Sequence, residues 1–455
     1  MSRILHIGLD DTDTMQSGCT TYVAALLIER LLAEGACFID YPNLIRLNPN
    51  VPWKTRGNGA VALRVATEKT DDLMDELWQI VIEHAEEEGK KPNPALLFLE
   101  GDIPLDIILF SRKAQREIAS LDAANKLIEK YGVKARFKGR GIGLIGALAA
   151  IGEQLRTVDF TYEIIYYRPY TVRHCRRHID AESVYKMDKL TKGVTFHNID
   201  IETGRILITP RGPDPVIFGI RGDDPETLLK AAKIVKVYEE IERWVIYRTN
   251  QGTNNHLIPR KLSALQEHQA AKLRLVITSK PEKLPGGHVI LRGGDGSNEI
   301  YLAFYRETGQ LRMIAEQLAE GDIVEIWGGA KRVDGKLTLN VEGMRIEKVQ
   351  QKFIVRRPRC PVCDGRMSSI GTGKGLRCKK CGYKIKKPLH LISIENRSLS
   401  SLIGKVLLPP PRSRRHLTKP ETRTINKWPP KRVEQWFWSK TLKASRLSLK
   451  FCEEP

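Results

Sequence analysis

The first 160 residues alternate short apolar runs with longer segments in which apolar residues recur every three or four positions. Residues 3–9 form an apolar run of the kind found in buried strands. Strands that alternate with helices predict an α/β domain over residues 1–160. The helical spacing predicts three helices, over residues 22–32, 71–88 and 114–131, each followed by a glycine that can end it: Gly35, Gly89 and Gly132.

Two further patterns follow along the chain. Residues 161–255 contain strand-like segments and then a helical pattern from Pro225 to about Val245, which predicts a small α+β sandwich. Residues 256–350 contain five strand-like segments with a helix between the third and the fourth, near residues 310–318. That order predicts an OB-fold β-barrel, a fold that binds oligonucleotides. The fold class is therefore multidomain α/β and α+β.

Four cysteines form two tight pairs within residues 351–390. Two Cys-x2-Cys pairs separated by fourteen residues can offer four thiolates to one tetrahedral zinc ion, as in a zinc ribbon. Four thiolates leave no position for a catalytic water, so we expect a structural Zn²⁺. The predicted ligands are Cys360, Cys363, Cys378 and Cys381.

The positive charge of the chain is concentrated near its C-terminus. The protein carries 74 basic and 54 acidic residues, a net charge of +20, and residues 352–455 alone hold 26 basic and 6 acidic ones. Residues 391–455 form a basic C-terminal tail that also contains tryptophan, a mixture suited to phosphates and unstacked bases of RNA. The alternative is that Trp428, Trp436 and Trp438 dock on the protein's own surface.

The sequence indicates neither a membrane anchor nor a disulfide scaffold. The longest apolar run, residues 142–152, is shorter than the roughly 20 residues needed to span a bilayer. We therefore expect a cytoplasmic protein without membrane contact. Eight cysteines are few for a chain of 455 residues, and the sequence assigns no role to Cys37, Cys175 or Cys452.

Three carboxylates follow the first predicted strand, at Asp10, Asp11 and Asp13. Carboxylate oxygens at the end of a strand can hold Mg²⁺, the usual companion of a nucleoside triphosphate. Thr20 opens the next helix, where free backbone N–H groups and the helix dipole stabilise an anion and where a hydroxyl can accept a phosphoryl group. The alternative is that these residues only cap a turn and a helix.

Two glycine-rich basic loops are predicted phosphate-binding elements. Glycine lets the backbone approach a phosphate closely, and neighbouring cations neutralise it. The second loop formally matches a dinucleotide-binding fingerprint, but no convincing strand precedes it, so a Rossmann site is rejected. The chain also lacks the motifs of P-loop enzymes and protein kinases. The predicted residues are Lys54, Arg56, Gly57, Asn58 and Gly59 in the first loop, and Lys138, Gly139, Arg140, Gly141 and Gly143 in the second.

Polar turns later in the chain are candidate substrate sites. Asp200, Asp214 and Arg221 lie in such turns after strand-like segments. The amide-rich segment of residues 250–256 can hydrogen-bond to nucleobases, although it also suits a plain linker.

The ordered set of motifs resembles the archaeal tRNA 2-agmatinylcytidine synthetase family, which acts on the minor isoleucine tRNA that reads AUA. The motifs are GLDDTDT, GCTTY, RLNPNVPWKTRGNGAVAL, FKGRGIGLIGALAAIG, PDPVIFGIRG and NQGTNNHL, followed by the barrel pattern and the zinc ribbon.

The resemblance implies an ATP-dependent enzyme that conjugates agmatine to C2 of the cytidine at the first anticodon position. It implies a threonine-kinase-like catalytic domain over residues 1–160, with Thr20 as the autophosphorylated threonine, and phosphoryl activation of the cytosine. It also implies a ferredoxin-like domain over residues 161–255, and tRNA binding by this domain, the OB-fold and the ribbon.

Agmatine carries a guanidinium group, which a carboxylate binds best in a bidentate pair. Asp200 and Asp214 are the candidates. No obligate protein partner is evident. The alternatives are a non-catalytic single-stranded nucleic-acid binding protein, for which the acidic cluster has no obvious use, and an ATP-dependent RNA modifier that uses another amine.

Overall fold

The structure, a computed structural model, describes most of the chain. The residues described are 3–68, 71–85, 92–351, 353–386, 391–394, 397–442 and 449–452.

One mixed sheet of eleven strands extends through both N-terminal blocks. Its two halves meet where Asn43–Arg46 pairs in parallel with Arg243–Thr249. The predicted boundary near residue 160 therefore lies within a continuous sheet. The strand order is Lys134–Phe137, Ala95–Glu100, Arg3–Asp10, Gly59–Thr67, Asn43–Arg46, Arg243–Thr249, Thr161–Tyr167, Val216–Gly222 and Thr195–Phe196, with Cys37–Phe38 added beside Gly59–Thr67 and Phe437–Ser439 beside Arg243–Thr249.

Helices cover this sheet, and two of the predicted ones differ from the structure. The helix expected over residues 114–131 is two helices, because Glu117 is extended and Ser120 caps a new helix by accepting a hydrogen bond from the Ala123 N–H. The helix expected to reach Val245 ends at Ile234, because residues 243–249 are buried on both faces as a central strand. The glycine stop expected at Gly89 lies outside the described residues. The helices are Thr20–Ala33, Asp71–Ala85, Leu105–Arg116, Leu121–Lys130, Gly143–Gly152, Ala181–Leu190 and Pro225–Ile234.

The helix Gly143–Gly152 is almost entirely buried and packs closely on the first strand. A Cβ atom at Gly8 would lie 2.3 Å from the carbonyl oxygen of Ala147. Real Cβ atoms do not approach that closely, so glycine at position 8 brings helix and strand together. This contact fixes the helix behind the end of the strand that carries Asp10.

Residues 270–348 form a second sheet, which closes on itself because Ala270–Ile277 pairs with both Ile323–Val333 and Val289–Gly294. The short helix Gln310–Ala315 lies between the third and fourth long strands, at the predicted place. A separate apolar core fills this sheet. Its remaining strands are Glu282–Lys283, Glu299–Phe304, Lys336–Lys348 and Val406–Leu407, and a two-stranded sheet elsewhere joins Ile199–Asp200 to Arg205–Ile206.

The cysteine-rich segment lies between two paired strands, Phe353–Arg356 and Leu391–Ile394. It has its own small core of Cys360, Met367, Leu376 and Cys378. Its strands are Met367–Ser369, Leu376–Cys378 and Lys384–Ile385.

The chain then returns to the N-terminal body, and the prediction of an RNA-facing tail is not supported. Trp436 is fully buried, and Trp428 lies under the guanidinium groups of Arg156 and Arg248. Arg423 is 2% exposed and pairs with Asp159 and Asp223. The tryptophans thus dock on the protein's own surface, which was the alternative interpretation. Short 3-10 helices complete the chain: Tyr170–Val172, Leu262–Ala264, Arg306–Thr308, Ser398–Leu402 and Pro411–Ser413.

A disulfide joins Cys37 to Cys452, with a Cα–Cα distance of 6.0 Å. Phe451 stacks on Trp436 and contacts Tyr41 at its side. The end of the described chain is therefore held to the N-terminal body by packing as well as by the covalent bond. Within the described residues, no helix is long and apolar enough to cross a membrane.

Candidate functional site

A cavity of about 670 Å³ lies where the two halves of the large sheet meet the returning C-terminal segment. One wall is acidic, with Asp10, Asp11 and Asp13, and Thr20 lies beside it. Facing groups are cationic: Arg46, Lys54, Arg56, Arg221, Arg414 and Arg415.

The acidic wall is built by the end of the first strand. Asp10 is the last residue of that strand, and a Cβ atom at Gly146 would overlap its carboxylate, so glycine at position 146 leaves room for it. Burial, and then the charge of Asp11, raises the pKa of Asp10 well above its ordinary value. Burial and the charge of Asp13 raise the pKa of Asp11 to about 6. A bound cation stabilises the charged form of two half-buried carboxylates with raised pKa values, so this group fits Mg²⁺.

Thr20 begins the helix Thr20–Ala33 and is 6% exposed. Its hydroxyl accepts a hydrogen bond of 3.2 Å from the hydroxyl of Thr12. The preceding residue, Cys19, makes no side-chain cap, so the helix N-terminus keeps free N–H groups toward the cavity. An anion or phosphoryl group at Thr20 is stabilised there.

The first glycine-rich loop, residues 54–59, forms the wall of the cavity that faces the acidic wall. Arg56 donates a hydrogen bond of 2.9 Å from Nε to Asp13 and one of 3.1 Å from Nη1 to Asp214. A side chain at Gly57 or Gly59 would collide with the guanidinium of Arg46 below the loop. Burial lowers the pKa of Arg46 to about 10, which leaves it charged at neutral pH. Lys54, Asn58 and Gly59 line the cavity as well.

The second glycine-rich loop does not line the cavity. Lys138, Gly139 and Arg140 are exposed, and the backbone N–H of Arg140 donates to the side-chain oxygen of Asn93 at 2.9 Å. Asn93 also hydrogen-bonds to Asp11, so this loop supports the acidic wall from behind. Gly141 and Gly143 are absent from the lining residues, whereas Ile142, Ile145 and Gly146 are among them.

The three candidate substrate residues have different surroundings. Asp214 lines the cavity, is 5% exposed and binds the guanidinium groups of Arg56 and Arg177. Arg221 also lines the cavity, and its Nε donates to Glu163 at 3.0 Å. Asp200 lies outside the cavity, fully buried and bound to Arg412. Its carboxylate is thus in contact with the returning segment.

Sequence reasoning missed Arg46, Glu163 and the segment Arg414–Leu417, which all line the cavity. Arg46 and Glu163 lie inside strands, where the apolar pattern hides them. The segment is anchored by the amide-rich residues: the N–H groups of Gly252 and Asn254 donate to the carbonyls of His416 and Leu417. Residues 250–256 thus bind a segment of the same chain that lies more than 150 positions later. No local sequence pattern reveals such a contact.

The four predicted zinc ligands converge in the cysteine-rich segment. The sulfurs of Cys360, Cys363, Cys378 and Cys381 all lie within 4.8 Å of one another. Four thiolates at such distances fit one tetrahedral zinc ion.

The architecture is that of a multidomain mixed α/β protein with a zinc ribbon. Three family models match the sequence of this chain. They are the TiaS TCKD domain over residues 6–71, the TiaS FLD domain over residues 141–256 and the TiaS C-terminal zinc ribbon domain over residues 357–396. The chain belongs to the TiaS family.

Among its relatives, the isoleucine-tRNA 2-agmatinylcytidine synthetase TiaS of Ignisphaera aggregans is 40% identical, with 92% of each chain covered. The solved structure of TiaS in complex with its isoleucine tRNA and ATP superposes with a TM-score of 0.82 at 34% identity, covering 93% of this chain and 99% of that one. A complex of TiaS with the same tRNA, AMPCPP and agmatine matches with a TM-score of 0.80 at 33% identity and the same coverage.

Proposed function

We propose that this protein is an ATP-dependent ligase that joins agmatine to C2 of the cytidine at the anticodon wobble position of the minor isoleucine tRNA. The product, 2-agmatinylcytidine, lets that tRNA read AUA. The observation that carries the proposal is 40% identity across 92% of the chain to a named synthetase of this activity. The shape of the cavity agrees, because one space holds a carboxylate cluster, a threonine at a helix N-terminus and several cations.

The domain roles follow the same family. We assign residues 1–160 as the kinase-like catalytic domain, 161–255 as the ferredoxin-like domain, 256–350 as the OB-fold and 351–390 as the zinc ribbon. Residues 391–455 are a C-terminal extension whose described part completes the cavity wall. The continuous sheet supports a joint catalytic body made of the first two domains.

Within this body, Asp10, Asp11 and Asp13 would hold Mg²⁺, which neutralises phosphate charge and orients the triphosphate when it is bound. Thr20 is the phosphoryl acceptor, because its hydroxyl lies at the helix N-terminus beside the acidic wall. Lys54 and the loop 56–59 contact phosphates through their cations and through the close backbone approach that Gly57 and Gly59 permit.

We assign Asp214 as the residue that binds the guanidinium group of agmatine. Its carboxylate lines the cavity and already binds guanidinium groups, the group that agmatine carries. Asp200 is withdrawn from this role because it lies outside the cavity, where it binds Arg412.

The decisive experiment incubates the protein with γ-labelled ATP and Mg²⁺, then adds tRNA and labelled agmatine. We expect labelled protein and labelled tRNA from the wild type, both lost in Thr20→Ala, with partial retention in Thr20→Ser because a hydroxyl remains. ATP turnover without agmatine transfer would favour another amine. Absence of any turnover in the wild type would favour the non-catalytic binder.

A further inference from the structure

The returning segment places a single histidine, His416, among the residues that line the cavity. Its imidazole packs on the first glycine-rich loop, since a Cβ atom at Gly57 would lie 3.2 Å from its Nε2. The backbone is fixed by the hydrogen bond of 2.9 Å from the Gly252 N–H to the His416 carbonyl. The ring is therefore held in one place at the junction of the catalytic loop and the C-terminal segment.

Within the described part of the chain, the side chain of His416 has no hydrogen-bond partner, and it is half-buried in the wall of the cavity. Its ring nitrogens are thus available to a molecule in the cavity. Charged and titratable groups around it are Arg46, Arg221, Lys54 and His197. Burial, followed by the charges of Arg46 and Arg221, holds the pKa of His416 well below its ordinary value. The imidazole is accordingly neutral across the physiological range and has a free lone pair.

The other acidic groups that line the cavity are either protonated, assigned to the cation site or bound in ion pairs. Burial raises the pKa of the Cys19 thiol to about 11, so it is not a thiolate at neutral pH. Asp10, Asp11 and Asp13 belong to the proposed cation site, and Asp13 also binds Arg56. The remaining carboxylates are bound: Asp214 to Arg56, Glu163 to Arg221, and Glu117 to Arg260.

We propose that His416 accepts the proton that the agmatine ammonium group loses as its nitrogen attacks C2 of the cytosine, an inference that rests on the function proposed above. The amine lone pair forms the N–C2 bond, and the bond between C2 and the phosphorylated O2 breaks. The ammonium proton moves to a ring nitrogen of His416, which frees that lone pair for the attack. The bonding pair leaves with the oxygen as inorganic phosphate, which carries away the second proton that the attacking nitrogen loses. The cations Arg46 and Lys54 lie beside the departing phosphate.

This role explains why the C-terminal segment returns to the catalytic body. A proton acceptor at neutral pH is needed because the amine is mostly protonated in water, and a positioned base contributes about 10²- to 10⁴-fold to rate. Removal of the imidazole leaves only the small fraction of amine that is already neutral in solution.

The test compares agmatine transfer to tRNA in single-turnover reactions of wild type, His416→Gln and the control His174→Gln from pH 6 to pH 9. His174 is an exposed histidine of the same body. We expect His416→Gln to lose about 10²- to 10⁴-fold near pH 7. Its rate should rise with pH, because free amine increases, while the wild type stays nearly flat. Added imidazole should restore part of the activity.

Parallel pH profiles for wild type and His416→Gln, without rescue by imidazole, would overturn the proton-acceptor role and leave His416 as a positioning residue. Wild-type activity in His416→Gln would overturn it as well. Absence of agmatine transfer by the wild type would instead refute the proposed function, so the two failures are distinguishable. Circular dichroism of each variant checks that the fold is retained.

Discussion

Asp200 and Asp214 illustrate how partners decide the chemistry of a residue. Both are acidic and both are 5% exposed or less, although Asp200 ends a short strand and Asp214 lies in a bend. Asp200 meets Arg412 away from the cavity, whereas Asp214 faces the cavity between Arg56 and Arg177. A molecule in the cavity can therefore reach the carboxylate of Asp214 but not that of Asp200.

We therefore expect Asp214→Asn to weaken agmatine affinity by about 10- to 100-fold, because a hydrogen bond to a charged group contributes about 1.5–3 kcal/mol. Isothermal titration of agmatine into the protein with ATP measures this change. Asp200→Asn is the matched control and should bind agmatine as the wild type does. Equal losses in both variants would remove Asp214 from the agmatine site.

The zinc ribbon is an element that stands apart from the catalytic body. Its small core is separate from the two large ones, and its link to the rest is the strand pair Phe353–Arg356 with Leu391–Ile394. Within the described residues, the ribbon also carries exposed cations that form no ion pair: Arg377, Lys379, Lys380 and Lys384. The ribbon therefore presents free positive charge to a polyanion.

We therefore expect that loss of zinc weakens tRNA binding but leaves the reaction with ATP in the catalytic body intact. Cys360→Ala is expected to lose the bound zinc, measured by plasma mass spectrometry, because three thiolates hold the ion less tightly than four. Its tRNA affinity and the slope of that affinity against salt concentration should both decrease, since fewer phosphates are neutralised. Phosphorylation of Thr20 by ATP should persist. An unchanged salt slope would mean that the ribbon does not contact phosphates.

At the scale of the whole molecule, the net charge of +20 does not divide into a neutral body and a free basic tail. Six basic residues after position 396 pair with acidic residues of the body or of the barrel, and the end of the chain is bound to the body through Cys37 and Cys452. These contacts hold the segment that supplies Arg414, Arg415 and His416 to the cavity. The pairs are Arg397–Asp322, Arg412–Asp200, Arg415–Glu342, Arg423–Asp159, Lys431–Asp224 and Lys440–Glu240.

Arg423→Met should lower the free energy of unfolding by about 3–5 kcal/mol, because it leaves Asp159 and Asp223 without their buried partner. Urea unfolding followed by fluorescence provides the measurement. Lys427→Met, at an exposed position of the same segment, should change stability by less than about 0.5 kcal/mol. A similar cost for both would show that the segment is not anchored through Arg423.

The sequence by itself determined those features that depend on residues close together along the chain. The four cysteines converge because their spacing is local, and the carboxylates of Asp10, Asp11 and Asp13 gather beside Thr20 because one strand, one loop and one helix follow each other directly. The barrel order and the family were readable for the same reason, since each rests on patterns that run along the chain.

Tertiary structure alone decided which distant segments meet. It joined two predicted domains in one sheet, left Lys138, Gly139 and Arg140 outside the cavity lining and buried Trp436 of the C-terminal segment. It also brought His416 to a loop more than 350 residues earlier in the chain. A basic, aromatic segment has the same composition whether it binds RNA phosphates or buried carboxylates, so only the positions of its partners distinguish the two.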